Sequence, residues 1–382
     1  MMVTGARQVG KTTLLKKLGT GRRFVSLDDP TVRDLARNDP ALFLQTYRPP
    51  VLIDEFQYAP ELLPYVKMDV DAHADECGRF WLTGSQQFKM MREVGESLAG
   101  RVGILPLGGL TQREAAAADF AGPFDVLREL DPDVPFPGQD VVYGRIHRGS
   151  YPAVVSGRTQ DVQTFYRSYL NTYVERDVRR IAAVSDESRF LSFIRVLAAR
   201  TGCLLNLSEI GKEVGISQPT VKSWLSVLES SGIVCRLHPY SANLNARIVK
   251  TPKVYFMDTG LCCYLTGWLN AETLAAGAMN GAMLETYVVS EIVRSFWNAG
   301  REAPVWFYRD KSGSEIDLLI ERDGRLFPVE IKRTATPTAG DVRNIRQVAA
   351  KGLSLADGAL VCLVEHTTAL PGGVRVIPVG SI

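Results

Sequence analysis

The sequence predicts an α/β fold that opens on a parallel sheet and continues into further helical and α/β modules. Three observations lead there. Residues Gly5, Ala6, Arg7, Gln8, Val9, Gly10, Lys11 and Thr12 match the phosphate-binding loop pattern G-x-x-x-x-G-K-[ST] in full. Two apolar runs follow at strand spacing, Pro50-Val-Leu-Ile ending in Asp54-Glu55 and Arg79-Phe-Trp-Leu-Thr-Gly ending in Ser85-Gln86-Gln87. Near the C-terminus, three strand-like segments carry Asp317 and then Glu330-x-Lys332.

The loop comes first. Glycines at its two ends let the backbone turn tightly enough for successive N–H groups to point into one concavity, and a helix over Thr12–Leu18 faces it with its positive end. This is a site for a nucleoside triphosphate, with residues Gly5 to Thr13 around the phosphates and Lys11 reaching the β/γ pair. The Thr12 hydroxyl is a candidate ligand for Mg²⁺, a small ion that takes octahedral oxygen donors. Only four residues precede the loop, whereas strands of this kind run to ~5–6 residues. The expectation is that the sequence begins inside a longer gene product or that the first strand is short, and either leaves the contacts to the base unassigned.

The two apolar runs read as strands buried on both faces, and ligands gather at the C-terminal ends of strands in open α/β sheets. Asp54 is then the carboxylate that completes the Mg²⁺ shell. Glu55 is the candidate that polarises the attacking water, because phosphoryl transfer needs positioning and charge stabilisation more than covalent help. Ser85 would stand beside the γ-phosphate, although a plain turn after a core strand reads the same way.

Composition bounds the rest. With 382 residues, 46% hydrophobic and 23% charged, the chain is sized for two or three domains with real cores. A net charge of +2 is too near zero to argue for nucleic acid by itself. No apolar stretch reaches the ~18 residues of a membrane span, and a phosphate loop stands where a signal peptide would need an apolar segment. The expectation is a cytoplasmic protein with no membrane partner. Six scattered cysteines, without a C-x-x-C pair, suggest neither zinc nor disulfides but buried thiols.

Residues 1–115 alternate strands and helices and read as the ATPase core. Residues 116–185 read as a helical lid with a loop insertion: an alanine-rich helix over Thr111–Ala121, a Pro/Asp/Gly-rich segment over Gly122–Asp140, and a helix over Asp161–Ala183 that ends in the charged run Glu175–Arg180. Residues 186–268 read as a winged helix-turn-helix. Its helices are Leu205–Val214 and Ser217–Ser231, with Ser208 and Ser217 as N-caps and Gly232 as the stop. Ile233–His238 and Lys253–Met257 form the wing, made basic by Arg236, Arg247, Lys250 and Lys253. Gln218, Thr220, Lys222 and Ser223 are the candidate contacts to a DNA major groove, with a spacer between domains as the competing reading. Trp224, Leu225 and Leu228 read as core.

Residues 275–382 open on a helix over Gly281–Trp297, and the strands after it match the order and spacing of the PD-(D/E)XK nuclease core, with Asp317 thirteen residues before Glu330. The chemistry explains the pattern. Carboxylates at the ends of adjacent strands, Asp317 and Glu330, can hold Mg²⁺ against a scissile phosphate, and Lys332, two positions on, shares the face of Glu330 and can orient water or stabilise developing charge. Glu285, on the preceding helix, could add a metal contact. Glu and Lys at alternate strand positions are also an ordinary solvated face, and a retained scaffold that binds nucleic acid or protein is the alternative to cleavage.

The combination of Gly5–Thr12, Ser26-Leu-Asp-Asp-Pro30, Leu52-Ile-Asp-Glu-Phe-Gln57, Leu82-Thr-Gly-Ser-Gln86 and Ser97-Leu-Ala-Gly-Arg101 resembles a family of prokaryotic AAA+-type P-loop ATPases, and the likeness runs essentially end to end. The resemblance implies ATP as the nucleotide, which the lack of an N-K-x-D segment supports, and a restriction-endonuclease-like C-terminal domain. It also implies that Arg101 is an arginine finger reaching a neighbouring subunit in a homo-oligomer; a salt-bridging residue at a strand start is the other reading. The leading expectation is an ATP-hydrolysing protein whose nucleotide state gates the nuclease-like domain. Its alternative is a nucleotide-regulated interaction module whose nuclease-like domain is inert, and a small-molecule kinase has no visible acceptor site.

Overall fold

The computed structural model describes residues 1–84, 97–131, 133, 135–173, 187–241, 251–310 and 312–382. Its N-terminal sheet holds β1 (Met2–Thr4), β2 (Arg23–Ser26), β3 (Val51–Asp54), β4 (Phe80–Gly84) and β5 (Ile104–Pro106), in the order β2-β3-β4-β1-β5. Every pairing in it is parallel. Helices Lys11–Leu18, Pro30–Asn38, Pro40–Thr46 and Leu63–Ala72 make the crossovers. All four residues of β3 are buried, because both faces are covered: Val51 and Ile53 point into one core, with Phe43, Phe56 and Leu82, and Leu52 into another, with Val3 and Leu15.

The segment after β5 departs from the expected alanine-rich helix. Thr111 and Glu114 form a reciprocal capping box, but the helix runs only over Gln112–Ala115, and Ala117 takes a left-handed φ of 52°. Helices Gln139–Arg148, Pro152–Val155 and Val162–Tyr173 follow. The end of the predicted Asp161–Ala183 helix, including Glu175–Arg180, lies outside the described residues. Tyr151, Phe165, Tyr166, Tyr169 and Tyr173 pack ring against ring; Tyr151 and Tyr169 have centroids 4.9 Å apart.

Helices Glu187–Ala198, Leu207–Val214 and Gln218–Ser230 pack round Phe190, Phe193 and Trp224, and β6 (Val234–Leu237) then pairs antiparallel with β7 (Lys253–Phe256). Trp224, Leu225 and Leu228 are buried. Ser217 caps its helix, but Ser208 does not: Asn206 caps Leu207–Val214, and the Ser208 hydroxyl donates to the Asn206 side chain at 2.8 Å. Asp258, buried at the start of helix Thr259–Leu265, accepts four hydrogen bonds: from Ser150 N at 2.6 Å and Ser150 Oγ at 2.8 Å, and from Tyr166 OH and Leu261 N, each at 2.7 Å. It ties the three-helix region to the segment that follows the first sheet.

The C-terminal region opens on helix Asn280–Asn298, one residue longer at each end than expected. Strands β8 (Val305–Arg309), β9 (Glu315–Arg322) and β10 (Arg325–Lys332) pair antiparallel in sequence. After helix Arg343–Ala350, β11 (Ala359–Cys362) joins β10 in parallel, and β13 (Val374–Pro378) joins β11 in parallel, with β12 (Thr368–Leu370) antiparallel at the edge. A single hydrophobic cluster runs from Ala6 and Val9 through the middle helices to Ile377 and Ile382. The cysteines are all free thiols, but not all buried as expected: Cys262, Cys263 and Cys362 are, Cys235 is half-buried, and Cys77 and Cys203 are exposed. Among the described residues no helix is long and apolar enough to cross a membrane.

Candidate functional site

The phosphate loop bridges β1 and helix Lys11–Leu18, and its glycines are needed where they stand. Gly10 holds a left-handed φ of 96° as the helix N-cap, and a Cβ on Gly5 would lie 2.1 Å from the Leu107 carbonyl oxygen. Lys11 is buried, its Nζ donating to the carbonyls of Gly5 at 2.9 Å and Ala6 at 2.7 Å, so the ammonium is folded back over its own loop. Thr12 Oγ1 donates to Asp54 Oδ1 at 2.8 Å. These two oxygens come from elements 42 residues apart in sequence, and an all-oxygen pair at this spacing suits Mg²⁺.

Burial pushes the Asp54 carboxyl up, against the hydrogen bond from Thr12 and the Lys11 charge. Burial likewise raises Glu55, opposed by a short hydrogen bond from the Gln57 amide. Glu55 itself sits at a left-handed φ of 56°, a conformation that turns the chain away immediately after β3. A cavity of about 670 Å³ is lined by residues 7–14, Glu55, Gly108 and Gly109 on one side and by Pro152, Arg158, Tyr169 and Thr172 on the other. That is within the ~300–1,000 Å³ of small-molecule sites. Arg158 is exposed there and has no hydrogen-bond partner among the described residues.

Of two other expected members of this site, Ser85 lies outside the described residues and Arg101 is elsewhere. Arg101 precedes β5 at the edge where the strands begin, opposite the edge that carries the loop, and makes a two-pronged ion pair with Asp71 through contacts of 2.5 and 3.2 Å. It does not approach its own loop.

The second set of residues meets across β9 and β10. Asp317 Oδ2 accepts from Ile331 N at 2.8 Å and from Lys332 Nζ at 3.0 Å, and Lys332 Nζ also donates to Glu330 Oε2 at 2.8 Å. The Glu330 side chain is wholly buried and its Oε1 has no partner. Burial and the Asp317 charge push Glu330 up; burial also works against the Lys332 charge, but Asp317 and Glu330 outweigh it and hold the ammonium above the ordinary lysine range.

Glu285 stands apart from this pair. Its Oε1 accepts from Tyr255 OH at 2.5 Å and from Lys253 Nζ at 3.1 Å, and Lys253 Nζ also reaches Glu315 Oε1 at 2.6 Å. Lys253 is therefore no surface cation of a basic strand pair, as its sequence context suggested; its side chain is 6% exposed, inside a carboxylate pocket. Among the described residues no three His, Cys, Asp or Glu side chains are close enough to hold a metal ion. Asp317 and Glu330 form a pair, not a triad. Arg236 is paired with Glu229, and Arg247 and Lys250 lie outside the described residues. Gln218, Lys222 and Ser223 are exposed on helix Gln218–Ser230, and Thr220 is half-buried.

Sequence reasoning missed Arg158, Tyr255 and Asp258. Asp258-Thr-Gly-Leu carries a capping signal, and Lys253 and Tyr255 alternate on one strand face, so both features could be read from local patterns; Arg158 sits in a loop and left none.

Residues 1–116 match the AAA domain family, so this part of the chain is an AAA-type domain, a class that binds and hydrolyses ATP. Residues 140–272 and 280–382 match two families described only as domains of unknown function, DUF8612 and DUF4143. The uncharacterized proteins Mb2031c of Mycobacterium bovis and Rv2008c of Mycobacterium tuberculosis are each 30% identical over 387 residues, covering all of this chain and 80% of theirs. Among solved structures, a RuvB variant of Thermotoga maritima aligns at 18% identity over 62% of this chain and 80% of that one, with a TM-score of 0.29, too low to carry an argument.

Proposed function

The chain belongs to the same family as the two mycobacterial proteins, and from that premise we propose that it is an ATP-hydrolysing switch whose nucleotide state gates a nuclease-like C-terminal domain acting on nucleic acid. One observation carries the ATPase half: Lys11, Thr12 with Asp54, and Glu55 converge on one cavity whose far wall comes from residues 152–172. Backbone groups of Gly5 to Thr13 cradle the phosphates, with Lys11 leaving its two carbonyls for the β/γ oxygens. Thr12 and Asp54 would hold Mg²⁺, which supplies charge neutralisation on the phosphates. Glu55 orients the attacking water. Ser85 is assigned to the γ-phosphate from sequence alone, and Arg101 acts on a neighbouring chain's nucleotide within a homo-oligomer.

For the C-terminal half, the support is the meeting of Asp317, Glu330 and Lys332 at the ends of adjacent strands, with an unpartnered buried oxygen on Glu330. Asp317 and Glu330 would hold Mg²⁺ and Lys332 would orient water. Helix Gln218–Ser230, with β6 and β7 as its wing, is the proposed DNA-reading element, its exposed Gln218, Lys222 and Ser223 near the helix start. A second reading has a specific observation behind it. Both acids of the pair are already satisfied in part by Lys332, as in an inert, nucleotide-regulated interaction module.

The test incubates the purified chain with circular and linear DNA and Mg²⁺ or Mn²⁺, with and without ATP, beside Lys11→Ala and Lys332→Ala. Cutting lost in Lys332→Ala and dependent on Lys11 is the expected result. ATP turnover abolished by Lys11→Ala, with no cutting by any form, selects the interaction module, and no ATP turnover at all sinks both.

A further inference from the structure

The carboxylate site contains a cation that its own strands do not supply. Four acids, Glu285, Glu315, Asp317 and Glu330, face two ammonium groups, Lys332 between Asp317 and Glu330 and Lys253 between Glu285 and Glu315, while the partly exposed Arg309 reaches Glu315 from the rim at 3.5 Å. Lys332 belongs to β10. Lys253 is delivered by β7, from the strand pair that follows the three helices, and it is almost wholly desolvated, with its Nζ 5.5 Å from the centroid of the Phe307 ring. Tyr255, two residues on and on the same strand face, adds its hydroxyl to the Glu285 oxygen that Lys253 holds.

We propose that Lys253 is a tethered cation that latches the carboxylate site shut, holding Glu285 away from Asp317 and Glu330 so that a divalent ion has only two carboxylates to bind. This inference rests on reading Asp317, Glu330 and Lys332 as a nuclease-type site. Three observations support it. Burial, and with it the charge of Asp317 close by, raises the Glu285 carboxyl, yet both of its hydrogen bonds go to the β7 side chains. Counting Arg309, which pairs with Glu315 at 3.5 Å, three cations face four acids, so the pocket keeps a formal negative charge that favours a further cation. The buried Glu330 Oε1 has no partner and points to a missing cation rather than a finished salt-bridge network.

The latch also sits on an element that touches the nucleotide loop. A Cβ on Gly232, two residues before β6, would lie 3.4 Å from Ala6 N. Between the two lies a cavity of about 510 Å³ lined in part by Gly5, Ala6, Val9, Gly232, Val234 and Arg236. The β6–β7 pair therefore meets the phosphate loop on one side and the carboxylates on the other.

Direct Mn²⁺ binding to the full chain, by calorimetry and by the electron paramagnetic resonance of free Mn²⁺, tests the latch without reference to cleavage. Lys253→Met should tighten Mn²⁺ binding by at least about tenfold, a modest part of what a unit charge a few ångströms away is worth inside a protein. Adding Glu285→Gln should cancel the gain. Because Lys253→Met leaves Glu315 with only its partly exposed partner Arg309, the double variant Lys253→Met/Glu315→Gln is measured beside it, with circular dichroism melting to identify folded forms. Unchanged Mn²⁺ affinity in the folded Lys253 variants, where Asp317→Asn weakens binding by the parent chain, overturns the latch and spares the site. A gain that survives Glu285→Gln overturns it too. Absence of Mn²⁺ binding in every form overturns the latch together with the nuclease-type reading.

Discussion

Removal of Asp258 should cost this fold heavily for so small a side chain. Its carboxylate accepts from Ser150 N, Ser150 Oγ, Tyr166 OH and Leu261 N. In Asp258→Ala the cap on helix Thr259–Leu265 goes, worth about 1 kcal/mol. The Ser150 amide and hydroxyl are left buried without their acceptor, at roughly 1–3 kcal/mol each. Tyr166 suffers less, because its hydroxyl keeps the Arg148 carbonyl at 2.9 Å. Allowing for partial relaxation, the sum is about 3–5 kcal/mol, a large share of the ~5–15 kcal/mol that a folded domain has in total. Urea unfolding followed by tryptophan fluorescence and circular dichroism measures it, and Asp258→Asn, which keeps one acceptor, should recover about half. The same change should weaken ATP binding, since Ser150 leads directly into Pro152 and the far wall of the nucleotide cavity. A loss below about 1 kcal/mol in Asp258→Ala would refute the claim that this carboxylate pins the two segments together.

Arg158→Ala should raise the Kd for ATP about tenfold without changing the melting temperature, because the guanidinium faces the cavity with no protein partner to lose; equal affinities measured with a fluorescent nucleotide would exclude it from the site. The proposed role of Glu55 needs its charged form, and burial holds its carboxyl above the ordinary 4.5, so on that proposal turnover should fall on the acid side through a pKa above that value. The Gln57 hydrogen bond opposes the shift, and Gln57→Ala should therefore move the acid limb of the pH–rate profile to higher pH; a limb that stays or moves down contradicts the assignment. Arg101→Ala should leave the melting temperature unchanged, since its pair with Asp71 is on the surface, yet lower ATP turnover by about 10³-fold or more at concentrations where chains assemble. Turnover per chain that is independent of both concentration and Arg101 would place the arginine among surface ion pairs.

The parts of the fold that were legible in the sequence are those written in short-range patterns. A strand buried on both faces must be apolar throughout, so Val51–Asp54 announced itself, and the glycine-framed octet located the loop because only such a backbone can turn that way. The failures come from contests between local signals. Alanines at 115–118 favour a helix, but the capping box closes only one turn before Ala117 goes left-handed. Ser208 and Asn206 both qualify as caps, and the tertiary bridge of Leu204 to Lys253 fixes the chain so that Asn206 takes the position. Lys253 was misread for a deeper reason. Its charge predicts solvent, and only the fold brings Glu285 and Glu315, 32 and 62 residues further on, close enough to bury it.

The uneven burial of the cysteines provides a ready spectroscopic ruler. Cys262 and Cys263 are buried, and burial raises both thiols far above the range where they ionise, so they react slowly. Cys77 and Cys203 are exposed, the first just before β4 in the ATPase sheet and the second bonded through its carbonyl to Val254 N on β7, beside Lys253. A donor and acceptor dye placed on these two native thiols would report the separation between the nucleotide-binding sheet and the β7 strand. Titrating ATP into the labelled chain would then read movement of that strand directly, with no engineered residue in the protein.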